Sequence, residues 1–296
     1  MQRRVMARGG PVSTFGFPPF THAVKKLIIA NVAVFLVMML SRLTVPILAT
    51  FADYYLYLRP VLVMHGRVWQ LITYSFFHDP HTVMHLLFNM LGLWMFGAQF
   101  EMDFGTRRFY EFYFWCVLGA ALTTLGVGAL GMVAFQHVQI PLFAIMGQIW
   151  HQATIGASGA VYGLLIAFGI LNGDRQVYVF PFPIAIKARY IVAIWIFVAL
   201  VSAFGGANGI AEFAHLGGAL FGWIYLRFIP RYGLKTAASE GVFGIRNRYY
   251  KWKRRRAAKK FEVYMRKNKN VGSFDEHGNF RRSPLDKKDD DSGWVN

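Results

Sequence analysis

Apolar residues along this chain fall into long runs rather than into the short alternations of a soluble domain. A helix needs about 20 such residues to cross a hydrocarbon core of about 30 Å. On that basis the pattern predicts six spanning helices, over 27–48, 83–100, 109–132, 155–172, 189–204 and 211–229. The segment 49–82 breaks the pattern with an aromatic stretch, Phe51 to Tyr57, and an amphipathic part around Arg67 to Phe77. Such mixtures favour the membrane–water interface, so this segment is expected on or in the outer leaflet. Residues 133–154 are moderately apolar and hold no Lys or Arg, but Pro141 and Gly147 make them too irregular for a seventh span.

Composition agrees with lipid as the solvent: 55% of the 296 residues are hydrophobic and 16% are charged, against about 25% charged in soluble domains. The net charge of +17 is uneven. Residues 1–226 hold 13 Lys/Arg against 7 Asp/Glu, and residues 227–296 hold 19 against 8. Basic residues precede the first helix (Arg3, Arg4, Arg8, Lys25, Lys26), separate the second from the third (Arg107, Arg108) and the fourth from the fifth (Arg175, Lys187, Arg189), and fill the tail. Connections 133–154 and 205–210 have none, and 49–82 has only Arg59 and Arg67. By the positive-inside rule both termini are cytoplasmic. No short apolar core with a cleavage site follows the N-terminal arginines, so the first helix is expected to act as the targeting signal. The expected division is a cytoplasmic segment over 1–26, a membrane domain over 27–229 and a basic cytoplasmic tail over 230–296.

The tail mixes basic and aromatic residues from Phe243 to Lys269, with Tyr249, Tyr250 and Trp252 among them. A solvated helix that enforces topology is the plain reading. Adsorption to anionic lipid is the functional one, worth about 1 kcal/mol per basic residue near the surface. Nucleic-acid binding is weaker, since any polybasic tail attracts polyanions. Residues 270–296 are polar and expected to lack fixed structure. The single cysteine, Cys116, excludes an internal disulfide and reads as a packing residue.

Nucleophilic and ionisable groups inside membrane helices are expensive and demand a reason. Helices 2, 4 and 6 of the predicted set all enter from the outer face, and each carries such groups near its start. These are His85 and Asn89, then Ser158 with Tyr162, then His215. They can therefore meet at one depth. Gly159 with Gly163, and Gly218 with Gly222, are small-xxx-small pairs that let helices approach closely. That approach would bring Ser158 and His215 within the reach a serine nucleophile needs for activation. From Ser158 to Leu171 are 14 residues, a helix of about 21 Å, so Ser158 is expected below the membrane surface.

The segment Gly156-Ala157-Ser158-Gly159, the segment Ala214-His215-Leu216-Gly217-Gly218 and the spacing His85-Leu86-Leu87-Phe88-Asn89 together resemble the GxSG, AHxxG and HxxxN motifs of rhomboid intramembrane serine proteases, in the same order and on the same helices. The resemblance covers about 20–230. It implies an all-α polytopic membrane protein with a six-helix rhomboid-like bundle. Ser158 would attack the scissile carbonyl and His215 would act as its base, with no third carboxylate. Tyr162 would orient the imidazole by packing on it. His85, Asn89 and the Ser158 N–H would form the oxyanion hole, and Gly156 would permit a tight turn before the serine. The implied substrates are single-span membrane proteins whose helix unwinds near the outer face. The implied home is a bacterial inner membrane, with an organelle membrane as the alternative. One departure stands out: many members carry Trp-Arg in the first loop, where this chain has Trp69-Gln70, with Arg67 before the tryptophan. Glu101 matches a glutamate often found near the inner end of the second helix.

His78, His81, His137 and His151 fall in outer loops or at helix ends and are expected to be solvated or interfacial. With no HExxH or comparable spacing, neither a metal nor a cofactor is expected. Two other readings stay open. A catalytically inactive relative that binds membrane clients usually lacks the serine or the histidine, and both are present. A transporter would show inverted repeats with broken central helices, which this chain does not display.

Overall fold

A computed structural model of the chain describes residues 18–179, 184–203, 209–229 and 247–260, with isolated positions further on. Contacts divide the chain into two compact units, Met1–Gly233 and Leu234–Asn296.

In the first unit, α1 (His22–Thr44) ends at Val45, and Pro46 opens the short α2 (Pro46–Tyr55). A proline suits the first helical position because its missing N–H would be unpaired there anyway, so the predicted 27–48 run becomes two helices. Short helical turns at Pro60–Met64 and Gln70–Thr73 follow. Next come α3 (Val83–Phe104), which contains a π turn at Leu93–Gly97, and α4 (Thr106–His137). Gly105, at φ +82°, makes the break between them. Then follow α5 (Pro141–Gln148), α6 (Ser158–Leu171), α7 (Ala188–Ala203) and α8 (Gly209–Phe228). Strands β1 (Gln176–Val179) and β2 (Ile184–Lys187) join α6 to α7 as an antiparallel pair, with Gln176 opposite Lys187 and Val179 opposite Ile184.

Helices α1, α3 and α4 are long and apolar enough to cross a membrane, while α6 and α7 are shorter apolar helices. Outward residues such as Leu36, Leu40, Leu130, Val133, Phe197 and Val201 are exposed, as a lipid-facing surface requires. Residues 133–154 are more regular than expected. α4 runs on to His137, and α5 packs so closely on α4 that a Cβ on Gly131 would overlap the Met146–Gly147 backbone.

Helix α6 sits between α4 and α8, its Gly159, Ala160, Gly163, Leu164 and Ala167 buried. Glycines decide that placement. A Cβ on Gly218 would run into the Gly159 carbonyl, and one on Gly222 would lie 3.0 Å from the Gly163 Cα. On the opposite side the buried Cys116 fills the space beside Gly163. α6 and α8 thus touch backbone to backbone, which draws their first turns together.

At the other end of the bundle Glu101 ties α1 to α3. Its carboxylate accepts from the N–H groups of Ala23 (3.0 Å) and Val24 (3.2 Å) and from the hydroxyls of Thr21 (2.5 Å) and Thr106 (2.7 Å). Negative charge on the unpaired N–H groups of a helix start is favourable, which explains how a carboxylate only 5% exposed is tolerated here.

The second unit contains a helix over 247–260 whose residues are all exposed. Arg256 lies over the Trp252 ring at 5.3 Å. Two short strands, β3 (Ser273–Phe274) and β4 (Phe280–Arg281), pair antiparallel, so 270–296 is not wholly without regular structure. The rest of that stretch lies largely outside the described residues.

Candidate active site

The segment leading into α6 is held by the loop that follows α1. Leu58 and Thr154 exchange backbone hydrogen bonds of 3.1 and 2.8 Å, and the Gly156 N–H donates to the Tyr74 carbonyl at 3.1 Å. Gly156 then takes φ +120°, a conformation L side chains rarely adopt. A Cβ there would stand 3.0 Å from His85 Nε2 and 3.5 Å from Ser158 Oγ. The glycine therefore both makes the turn and leaves a space open between these two groups. Ser158 is the first residue of α6, so the unpaired N–H groups of that helix start lie beside its hydroxyl.

His215, on the first turns of α8, places Nε2 2.7 Å from Ser158 Oγ. Tyr162, one turn beyond Ser158, stacks on the His215 ring with centroids 4.4 Å apart and planes 4° from parallel. The other imidazole nitrogen is also engaged: Nδ1 lies 2.9 Å from Oε2 of Glu212. This corrects the expectation that no carboxylate accompanies the pair. The signal was present in the sequence, because residues three apart share a helix face. The His215 and Glu212 side chains are 15% and 21% exposed, so the contact is largely shielded.

His85 accepts at Nδ1 from the Asp79 N–H, at a long 3.4 Å. A neutral imidazole bonded in this way carries its proton on Nε2, the nitrogen that faces the space beside Gly156. Asn89 is oriented differently. Its amide nitrogen donates to the His85 carbonyl of its own helix at 2.8 Å, and its Oδ1 is buried with no hydrogen bond among the described residues. Both residues share one helix face; the structure brings His85 Nε2 to the space beside Ser158 Oγ and bonds the Asn89 amide to its own helix.

His78 is buried, 1% exposed, rather than solvated, and its ring meets His85 edge-on at 5.2 Å. Burial first, and the neighbouring His85 second, hold its imidazole down at about 3. His81 contacts Arg42 in an exposed position.

The first loop is braced at Gln70. This residue is fully buried; its Oε1 accepts from the Arg59 N–H at 3.1 Å and its Nε2 donates to the Tyr54 carbonyl at 3.1 Å. Arg67 adds a hydrogen bond to the Tyr54 carbonyl at 2.8 Å and stacks over the Tyr54 and Tyr55 rings at 3.8 and 4.4 Å. A neutral amide at position 70, where the resemblance would place an arginine, and Arg67 three residues earlier thus tie this loop together.

Comparisons with known proteins bear on this site. The family model described as Rhomboid domain matches residues 65–232, which contain Gly156, Ser158, Tyr162, His215, Glu212, His85 and Asn89. The chain is 30% identical over 153 residues to "Rhomboid protein 1, mitochondrial" of Saccharomyces cerevisiae, covering 50% of this chain and 38% of that protein. It is 33% identical over 104 residues to "Rhomboid-like protein 16, chloroplastic" of Arabidopsis thaliana, covering 35% and 31%. It is 22% identical over 105 residues to "Rhomboid protease GlpG" of Yersinia pseudotuberculosis, covering 36% and 35%. In these three relatives the match spans less than two fifths of their length. The matched domain and the apolar helices make the protein an integral membrane protein. The expected bacterial inner membrane gains no support, because the first two relatives carry organellar names.

Proposed function

Since this chain belongs to the rhomboid family, we propose that it is an intramembrane serine endopeptidase in which Ser158 is the nucleophile and His215 its general base. The observation that carries this reading is the 2.7 Å contact between Ser158 Oγ and His215 Nε2 inside a bundle of apolar helices. The bundle crosses the membrane six times with both termini cytoplasmic, and the serine opens towards the outer side.

The reaction then runs in two halves. His215 Nε2 takes the Ser158 proton as Oγ bonds to the scissile carbonyl carbon, and the carbonyl oxygen becomes an oxyanion. The Nε2–H of His85 and the Ser158 N–H are the donors nearest to where that charge develops. Donors held in place beforehand stabilise it without reorganisation. His215 returns the proton to the leaving amine as the C–N bond breaks. Water, deprotonated by His215, releases the acyl group and regenerates the Ser158 hydroxyl. Asn89 joins the oxyanion donors if substrate draws its amide away from the His85 carbonyl. A transmembrane substrate must unwind to reach a serine at the top of a 14-residue helix, which favours single-span proteins with weak helices near the outer face. The basic helix over 247–260 adsorbs to anionic lipid.

The test is cleavage of a labelled single-span substrate in liposomes by the wild type, Ser158→Ala and His215→Ala. Cleavage by the wild type alone is expected. Cleavage that survives Ser158→Ala would reject the nucleophile. No cleavage by any folded form across several substrates would favour a client-binding role.

A further inference from the structure

Within that peptidase reading, one contact has no part in a two-residue mechanism. Glu212 Oε2 lies 2.9 Å from His215 Nδ1, while Nε2 of the same ring lies 2.7 Å from Ser158 Oγ. We propose that Glu212 is a positioning residue for His215, so that the site works as a serine–histidine–glutamate triad rather than as a dyad.

The argument starts from the imidazole. A neutral ring carries one proton, on either nitrogen, and only the form protonated at Nδ1 leaves Nε2 free to accept from serine. The carboxylate can only accept, so its bond to Nδ1 selects that form. When His215 takes the serine proton the ring becomes cationic, and a carboxylate at this distance stabilises it most strongly where water is scarce. The surroundings meet that condition, with the two side chains 15% and 21% exposed. Placement also favours the arrangement. Glu212 lies in the first turn of α8, three residues before His215, where a helix start tolerates negative charge. Both residues belong to one rigid helix, so the contact does not depend on the packing of separate elements.

Tyr162 has a different task. Its ring sets the plane of the imidazole by stacking, but a stacked ring cannot choose between the two nitrogens. Among the described residues His85 of α3 also borders the site, with Nε2 facing the space beside Gly156 and Ser158 Oγ. His85 meets the Asp79 N–H through Nδ1 and therefore offers no acceptor to His215 at that atom. The tautomer of His215 is left to Glu212.

The test combines kinetics with a signature that needs no turnover. Wild type, Glu212→Gln and Glu212→Ala are compared in liposomes for kcat and KM, and the His215 tautomer is read by ¹⁵N NMR in each. The expected wild-type ring is protonated at Nδ1. Glutamine carries no charge and can either accept from Nδ1 or, turned over, donate to it, so Glu212→Gln weakens the choice of tautomer and loses at least about tenfold in kcat. Glu212→Ala loses more, with KM little changed, and its ring shifts towards the Nε2–H form. Unchanged kcat in both variants overturns the proposal. So does a loss of kcat in Glu212→Ala with the tautomer still fixed at Nδ1, because Glu212 would then serve the fold alone. If the wild type cleaves nothing yet the tautomer moves in Glu212→Ala, the peptidase reading fails and the positioning contact stands.

Discussion

Tyr162 and His215 lie face to face, their ring centroids 4.4 Å apart and their planes 4° from parallel, although one belongs to α6 and the other to α8. The stack is possible because Gly159, Gly163, Gly218 and Gly222 let those helices meet without side chains between them. A stacked pair contributes about 0.5–1.5 kcal/mol beyond burial, enough to hold the imidazole near one orientation. Tyr162→Phe keeps the ring and is expected to retain most of the cleavage rate. Tyr162→Ala frees the imidazole and is expected to lose about tenfold. Rates in liposomes, with thermal stability measured alongside, check both.

His85 and Asn89 are expected to differ in weight. Nε2 of His85 already faces the space beside Gly156 and Ser158 Oγ, whereas the Asn89 amide is bonded to its own helix. Loss of an oxyanion donor costs about 100-fold or more in kcat. His85→Ala is therefore expected to fall by that order with KM nearly unchanged, and Asn89→Ala by less. Equal losses in kcat would show that substrate recruits Asn89 as fully as His85.

Gln70 holds the first loop through two hydrogen bonds from a fully buried amide. Without the amide the Arg59 N–H loses its acceptor, which costs about 1–3 kcal/mol, while the Tyr54 carbonyl keeps its bond from Arg67. Gln70→Leu, similar in size, is expected to lower the apparent Tm by several degrees. It is also expected to reduce kcat, since Arg59 adjoins Leu58, which pairs with Thr154 just before the serine. Glu101→Gln should lower Tm at the far end of the bundle without the same loss in kcat, which separates the two effects.

His78 makes stability depend on pH. Its imidazole is held from 6.5 down at about 3 in the folded state, chiefly by burial. The unfolded chain therefore binds a proton that the folded one refuses. Stability falls as pH drops below about 6.5 and continues to fall towards about 3, with about 2 kcal/mol lost between pH 7 and pH 5 from this group. His78→Phe removes the titrating group, so its apparent Tm should fall less over that interval than the wild type's. Parallel pH dependence in the two proteins would assign the effect elsewhere.

Much of the fold was legible in the chain itself. Run length and apolar content marked α1, α3 and α4 as long enough to cross a membrane, because lipid forces every backbone polar group to be satisfied within its own helix. The 14 residues from Ser158 to Leu171 were readable as a short helix, and α6 has those bounds. Glycine spacing marked which helices approach closely, since it depends only on what a Cβ would occupy.

Other features required the assembled molecule. Glu212 had the right spacing to His215, but spacing names a shared face and not a rotamer; the 2.9 Å contact is a matter of side-chain direction. Asn89 shares a face with His85, yet its amide bonds to its own helix. Gln70 falls in a segment expected at the membrane interface and His78 among histidines expected to be solvated or interfacial; both are buried, because loop burial is decided by what packs over it from distant parts of the chain. Local sequence determined which groups lie at the same depth; long-range packing decided which of their atoms face one another.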